Sequence, residues 1–236
     1  MYWLERTELL IKPENLDRLK QANVLVVGLG GVGAYAAEMI CRAGVGKMTI
    51  ADGDRIDVTN RNRQLPALIS TSGMLKTEIM AHRVRDINPE IVIREVSEFI
   101  CDEGTVELIE SESFDYVIDA IDTLSPKVLL INSCIERGLR VVSSMGAGGR
   151  LDPSMVQVSD ISETYNCGLA RMLRKRLSKL GIRQGVKVVF SSEEISREAI
   201  RSETGQNKQS TVGTISYMPA VFGCFVASVV IRDLLK

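Results

Sequence analysis

The stretch Val24-Leu-Val-Val-Gly28-Leu-Gly30-Gly31-Val-Gly33 is the part of the chain whose reading decides the fold. Four aliphatic residues feed straight into a glycine turn. Good helix formers follow from Ala34 to Arg42, and Lys47-Met-Thr-Ile-Ala-Asp52 then returns to strand-like residues that end on a carboxylate. Strand, Gly-x-Gly-x-x-Gly, helix, strand and acidic residue is the order of a nucleotide-binding βαβ unit. Glycines let backbone approach a phosphate closely, and the free N–H groups at the start of the helix supply hydrogen bonds to it. Asp52 follows Gly33 by 19 residues, the place for a carboxylate that holds ribose hydroxyls.

Working outward, strands and helices go on alternating. A short helix is expected over Glu14–Gln21, with Pro13 near its start. Past Asp52 the chain turns polar, then reads as an amphipathic helix over Gly73–Ile87 on Leu75, Ile79 and Val84. Ile91–Val96 alternates as a strand and Glu103–Glu110 forms a short helix. Tyr116-Val-Ile-Asp119-Ala-Ile-Asp122 is a buried strand ending in two carboxylates. Ser125 caps the next helix with Pro126 in its first turn. Arg140–Ser143 is a strand running into Gly146-Ala-Gly148-Gly149. Later come strands at Met155–Val158 and Lys187–Phe190, a basic helix over Leu169–Leu180, and a polar stretch, Glu193–Gln209, with no apolar period and the composition of a mobile segment. The expected fold is α/β: a Rossmann-like, doubly wound, mainly parallel sheet with helices on both faces and a C-terminal mixed extension. One domain is expected over 1–236, with its nucleotide-binding part at about 14–150 and the extension, carrying the basic helix and a final apolar helix, at about 151–236. Ligands of such sheets sit beyond the carboxyl ends of the strands, so the glycine turn, Asp52, the Asp119/Asp122 end and the Gly146 loop should share one rim.

Composition narrows the setting. Net charge is −1, so no global field favours nucleic acid, and a basic surface must be local. The five cysteines never form a C-x-x-C pair; their odd number and wide spacing argue against a disulfide framework and a zinc ribbon. The N-terminus lacks the basic start and apolar stretch of a signal peptide. Met218–Ile231 is too short for a membrane span and is interrupted by Pro219 and Gly223, so a buried terminal helix is expected. A cytoplasmic protein with no membrane partner is the expectation. Cys134 and Cys224 lie among apolar neighbours and read as core, Cys41 and Cys101 have no evident partner, and Cys167 sits in a turn before the basic helix, where cations and a helix N-terminus favour a thiolate.

The residues that choose a chemistry are Asn60-Arg-Asn-Arg63-Gln64, Lys76 and Asp122. The sole histidine, His82, lies mid-helix beside Arg83 and Arg85 on an expected solvated face, so it does not read as the proton-transfer group a hydride-transfer enzyme usually needs. Arg63 and Lys76 are instead placed to neutralise triphosphate oxygens, and Asp122 to hold a bridging Mg²⁺. Each has a bland reading alone: a loop charge, a solvated helix face, a helix cap. Their joint appearance at strand ends points to attack on phosphorus.

Gly28-x-Gly30-Gly31-x-Gly33, Asp52-Gly-Asp54, Asn60-x-Asn-Arg63-Gln64, Gly73-x-x-Lys76 and Ile-Asp119-Ala-Ile-Asp122 together resemble the ubiquitin-activating, or E1-like (ThiF-type), adenylating superfamily. That resemblance implies adenylation of a carboxylate by MgATP in a homodimer. It places Asp52, with Asp54 beside it, at the ribose, Asn60, Arg63, Gln64 and Lys76 at the phosphates, and Asp122 at Mg²⁺. Arg6, in a short N-terminal arm, matches the arginine that such dimers insert into the partner's ATP site. Within the superfamily the chain is similar, from Arg6 to the last helix, to the tRNA threonylcarbamoyladenosine dehydratases. The branch-specific stretches are Pro126-Lys127 after Asp122, Gly146-Ala-Gly-Gly149-Arg-Leu-Asp152-Pro153, Val156–Asp160 and the basic Leu169–Leu177 run. The branch implies ATP-dependent activation of the threonyl carboxylate of the modified adenosine at tRNA position 37, then ring closure with loss of AMP. It makes Arg171, Arg174, Lys175, Arg176 and Lys179 the tRNA-binding cations, and it raises two further questions, a monovalent cation (Na⁺ or K⁺) by the Gly146 loop and a sulfur-transfer protein partner. The zinc-binding C-x-x-C pairs of the molybdopterin- and thiamine-pathway activators are absent. So is a cysteine that some dehydratases carry before the last helix, where Lys208-Gln-Ser-Thr-Val-Gly213 stands.

Two other readings stay open on the sequence. An activator of a small ubiquitin-like or sulfur-carrier protein would use the same site, with Cys167 as acyl acceptor. An NAD-linked oxidoreductase or a nucleotide-sensing module would need only the glycine turn and Asp52.

Overall fold

The computed structural model describes residues 2–100, 103–202 and 210–236. Cys101, Lys208 and Gln209, with the rest of the end of the Glu193–Gln209 stretch from 203 on, lie outside that description. In chain order come α1 (Glu5–Ile11), α2 (Pro13–Gln21), β1 (Asn23–Val27), α3 (Gly33–Arg42), β2 (Lys47–Ala51), α4 (Lys76–Ile87), β3 (Val92–Val96), α5 (Glu103–Glu110) and β4 (Tyr116–Asp119). There follow α6 (Leu124–Glu136), β5 (Val141–Ser144), β6 (Val156–Asp160), α7 (Gly168–Lys179), β7 (Lys187–Ser191), β8 (Ile200–Ser202), β9 (Ser210–Val212) and α8 (Tyr217–Leu234).

Seven strands form one sheet in the order β3-β2-β1-β4-β5-β7-β6. All neighbours are parallel except β6, which runs antiparallel to β7 at the edge. Strand order reverses between β1 and β4, and the ligand crevice of an open α/β sheet forms at such a reversal. β1 and β4 are buried along their whole length, as strands covered on both faces must be. Side chains alternate across the sheet. Val24, Val26, Met48 and Ile50 pack with α3, α4 and α8, while Leu25, Val27 and Val117 pack with α5 and α6. A third cluster joins α6, α7 and β7 through Ile131, Leu173 and Val188.

The structure moves several expected boundaries. α4 starts at Lys76, because residues 73–75 are held in a turn by Gly73 N–H to Ile56 O and by the Arg55–Leu75 bridge. Its buried stripe is Thr77, Met80, Ala81 and Val84, with Leu75 and Ile79 only half covered. β4 ends at Asp119, so Asp122 stands in the following loop. Thr123, not Ser125, occupies the N-cap of α6, with extended backbone and no side-chain cap bond. The Glu193–Gln209 stretch is partly ordered: β8 pairs antiparallel with β9. α1 was not expected as a helix; none of its own residues is buried, and it is anchored by Leu4 just before it.

α8 is 18 residues long and apolar enough to span a bilayer by length and composition, and half of it is buried inside the protein. It packs on α3, where Gly223 lets the helices meet: a Cβ there would lie 2.6 Å from Val32 O. Phe222 and Val230 are completely buried on that face, each contributing roughly 1.5–3 kcal/mol. Cys224 lies outside the stripe of Met218, Phe222, Val226 and Val230 and is exposed, contrary to its reading as core.

Candidate active site at the carboxyl rim of the sheet

Gly28 ends β1 with φ +92°, a conformation that only glycine adopts without strain. Its N–H donates to Ala51 O at 2.8 Å, and a Cβ on it would lie 2.7 Å from Ala120 O. β1 and the β4 loop therefore touch at the sheet's reversal point. At Gly33 a Cβ would fall 1.7 Å from Gly28 O, which makes a glycine compulsory where the turn enters α3. Gly31 yields to Pro219 of α8, whose Cβ would be 2.8 Å away. Gly30 is different: its Cβ would meet only the Gln64 amide, at 3.9 Å, so this position faces open space. Two of the four motif glycines thus serve backbone packing, one serves α8, and Gly30 leaves the cradle open.

Asp52 is fastened to that cradle. Its Oδ2 accepts from Leu29 N–H at 2.6 Å and its Oδ1 from Asp54 N–H at 2.8 Å. Burial raises its pKa; the Lys76 charge and the two backbone donors oppose the rise without cancelling it. Lys76, at the first position of α4 and 3 % exposed, places Nζ 2.6 Å from Asp54 Oδ2 and 3.8 Å from Asp52 Oδ2. The two carboxylates fix the Lys76 ammonium beside the turn and already pair its charge.

The Asn60–Gln64 segment closes the rim from the other side. Asp57 and Asn60 cap a short 3-10 turn reciprocally, and Asn60 Oδ1 accepts from Asp57 N–H at 3.1 Å. Asn60 thereby keeps its amide NH₂ for a ligand. Arg63 is braced through Nη1 by Thr59 O at 2.9 Å and Asn62 Oδ1 at 2.8 Å. Gln64 leaves its Oε1 buried without a protein partner. The Gln64 atom nearest the Gly30 position is Nε2, at 3.9 Å, so a donor and not the orphaned acceptor borders the open cradle.

Behind the Asp122 loop lies a cluster that the sequence reading passed over. Lys127, fully buried on α6, donates to Asp119 Oδ2 and to Ile121 O, both at 2.8 Å. Ser143 Oγ reaches the same Asp119 oxygen at 2.6 Å. Lys127 therefore pins the residue preceding Asp122. The sequence signals were the Pro126-Lys127 pair among the branch-specific stretches and an Asp-x-x-Asp strand end followed by a lysine in the first turns of a helix. Arg150 was likewise missed. It is 1 % exposed, and its guanidinium joins Gly146 O (3.4 Å), Asn166 O (2.8 Å) and Glu193 O. Three separate segments are tied there into one end of the rim.

The remaining candidates are distributed as follows. Arg6 is not at this chain's own site: Leu4 packs on Gly44, past the far end of α3, so α1 lies at the opposite edge from the glycine turn. His82 is exposed on α4, as expected. Cys167 sits at the N-cap of α7 but is 6 % exposed and packed with Met145, Ala170 and Leu173. That burial disfavours an acyl-acceptor role. Burial pushes the thiols of Cys41 and Cys134 up to about 11 and 12, so both are inert packing groups. On α7, Arg171, Lys175, Arg176 and Lys179 are exposed, whereas Arg174 is half-buried and donates to Thr164 O at 2.7 Å and to its hydroxyl. Arg174 is thus partly committed to the protein itself. No cluster of three or more His, Cys, Asp or Glu able to hold a metal occurs among the described residues.

The sequence model of the ThiF family matches residues 4–236. A tRNA threonylcarbamoyladenosine dehydratase of Bacillus subtilis (strain 168) is 40% identical over 244 residues, which cover 100% of this chain and 96% of that relative. The protein of the same name from Escherichia coli (strain K12) is 40% identical over 201 residues, 81% of this chain and 75% of its own length. The crystal structure of E. coli tRNA N6-threonylcarbamoyladenosine dehydratase in complex with ATP superposes with a TM-score of 0.88 at 35% identity, covering 98% of this chain and 92% of that one.

Proposed function

Because the chain belongs to the ThiF family, we propose that it uses ATP to dehydrate N6-threonylcarbamoyladenosine at position 37 of tRNA, closing the modification into a ring. The observation that carries this reading is the match over the entire chain to relatives of that name, on a rim equipped for adenylation. The threonyl carboxylate attacks the α-phosphorus of ATP, pyrophosphate leaves, and an acyl-adenylate forms. The substrate's own carbamoyl group then attacks the activated carbonyl, AMP leaves with the former carboxylate oxygen, and the nucleoside has lost one water. Ring closure is intramolecular, so positioning supplies much of its rate.

In this reading Asp52 holds the ribose hydroxyls, with Asp54 fixing Lys76 beside it. Asn60, Arg63, Gln64 and Lys76 face the phosphates, where fixed positive charge stabilises the transition state most. Asp122 would hold Mg²⁺, which usually takes one or two carboxylates and the substrate's phosphate oxygens, and would add charge neutralisation there. The carbonyls of the Gly146 loop would suit a monovalent cation. Arg6, exposed on α1, would serve the site of a second copy in a homodimer. Arg171, Arg174, Lys175, Arg176 and Lys179 would meet tRNA in the cytoplasm, and the reaction as written needs no sulfur-transfer partner.

The test is pyrophosphate release from MgATP with threonylcarbamoyladenosine-bearing tRNA against the same tRNA unmodified, with mass analysis of the recovered nucleoside. Release confined to the modified tRNA, with loss of one water, is expected. Cys167→Ala should retain it. Release driven by a small carrier protein instead, with a thioester to that carrier that Cys167→Ala abolishes, would overturn the proposal.

A further inference from the structure

Beside α7, away from the nucleotide rim, a cleft of about 380 Å³ is lined by Ser162, Arg171, Arg174, Lys175, Ser178 and Arg183. Four of its six lining side chains are cations. None of them meets a carboxylate among the described residues: Arg174 is held by the Thr164 and Ile161 carbonyls, and Arg171, Lys175 and Arg183 make no side-chain bond at all. Gathering like charges around a recess costs stability unless an anion enters it.

We infer that this cleft seats backbone phosphates of the RNA substrate, with Arg183, Arg171 and Lys175 as the contacting cations and Arg174 as their fixed neighbour. The inference rests on the tRNA reading above and adds Arg183, which lies outside the basic helix. It also divides the helix. Arg171, Lys175 and Ser178 share a stripe facing the cleft, while Arg176 and Lys179 fall outside its lining. α7 begins at the rim, where Cys167 Sγ is 3.9 Å from a Cβ position on Gly146, and runs away from it for 12 residues, about 18 Å. A nucleotide inserted at the rim therefore brings flanking phosphates along this helix. Two hydroxyls sharpen the match to RNA. Ser178 has no side-chain partner, and Ser162 donates to Asp160 Oδ1 at 2.7 Å, which leaves its lone pairs to accept. A ribose 2′-OH, both donor and acceptor, suits that pair.

The experiment measures fluorescence anisotropy of labelled, unmodified tRNA transcript with the full chain over a series of KCl concentrations, each variant first checked by thermal melting. Arg183→Ala is expected to weaken binding about tenfold and to reduce the log–log salt slope by about 0.7–0.9. The Arg176→Ala/Lys179→Ala double variant should do less than Arg183→Ala alone. Ser178→Ala should narrow the preference for an RNA anticodon stem-loop over its DNA counterpart. If wild type converts modified tRNA while Arg183→Ala leaves affinity and slope unmoved, the phosphate seat is overturned and the substrate reading stands. If wild type binds no tRNA, both fall.

Discussion

Lys127→Met tests the rim's foundation. The lysine and Asp119 are both fully buried, with Nζ 2.8 Å from the carboxylate and 2.8 Å from Ile121 O. Removing the ammonium leaves a buried carboxylate with Ser143 and one backbone N–H as its donors. Breaking such a pair from one side costs about 3–5 kcal/mol, a large share of the roughly 5–15 kcal/mol that holds a domain together. For a chain of this length the melting temperature should fall by about 6–20 °C. Asp119→Asn combined with Lys127→Met removes the stranded charge, so the double variant should regain at least about 1–2 kcal/mol over the sum of the single losses. Stability and activity should then part company. The Ile121 carbonyl still lacks its donor, the Asp122 loop stays unpinned, and kcat/KM for the modified tRNA remains low even where stability is partly recovered. Urea denaturation at neutral pH, with unchanged m-values, reads the first effect and steady-state kinetics the second. A Lys127→Met protein within about 1 kcal/mol of wild type, or strictly additive losses in the double variant, would refute the reasoning.

Three further predictions concern other parts of the rim and its supports. Asp52→Asn should weaken ATP binding at least about tenfold, the loss of one charge-assisted hydrogen bond. Burial holds the Asp52 pKa above the ordinary range, so wild-type ATP affinity, measured calorimetrically, should decline as pH falls toward that range and do so earlier than for an ordinary aspartate; Asp52→Asn should lack this component. Gly33→Ala should fail to fold cooperatively, given a Cβ position 1.7 Å from Gly28 O, whereas Gly30→Ala should melt within a few degrees of wild type yet lose ATP, a contrast that differential scanning with and without nucleotide would expose. Burial opposes ionisation of Asp233, but hydrogen bonds from Lys187, Lys236 and Tyr116 outweigh it and hold its carboxyl well below the usual range. Its contribution is therefore full above the unfolded pKa, near 4, and lost as pH falls through the folded one, so the melting-temperature gap between wild type and Asp233→Asn should close on acidification.

The first βαβ unit was legible because every signal in it is local. Aliphatic residues covered on both faces, compulsory glycines and a carboxylate at fixed spacing need no distant partner to be recognised. The rim could be assembled on paper for the same reason, since parallel strands deliver their carboxyl ends to one side. What escaped depends on which way side chains and strands turn once the elements are packed together. Lys127 and Arg150 look like surface charges until Ser143 and Glu193 are placed against them or their partners. The antiparallel course of β6 is set by register with β7, some thirty residues on, and not by anything within β6 itself. α1 carries no apolar stripe that packs beneath it, so no periodicity announces it. Cys224 shows the limit of composition: apolar neighbours in sequence do not make a core residue when the helix turns it outward.

The contact between Pro219 of α8 and Gly31 of the nucleotide turn links opposite ends of the sequence. During synthesis the glycine turn leaves the ribosome long before α8 exists, and until then α3 exposes the face on which Gly223 and Phe222 will lie. A nascent chain therefore presents a nearly finished sheet whose nucleotide cradle lacks its backing. The seating of α8 on α3 and the shape of the nucleotide turn are therefore one packing problem, and a substitution that lifts α8 should loosen the cradle without touching it.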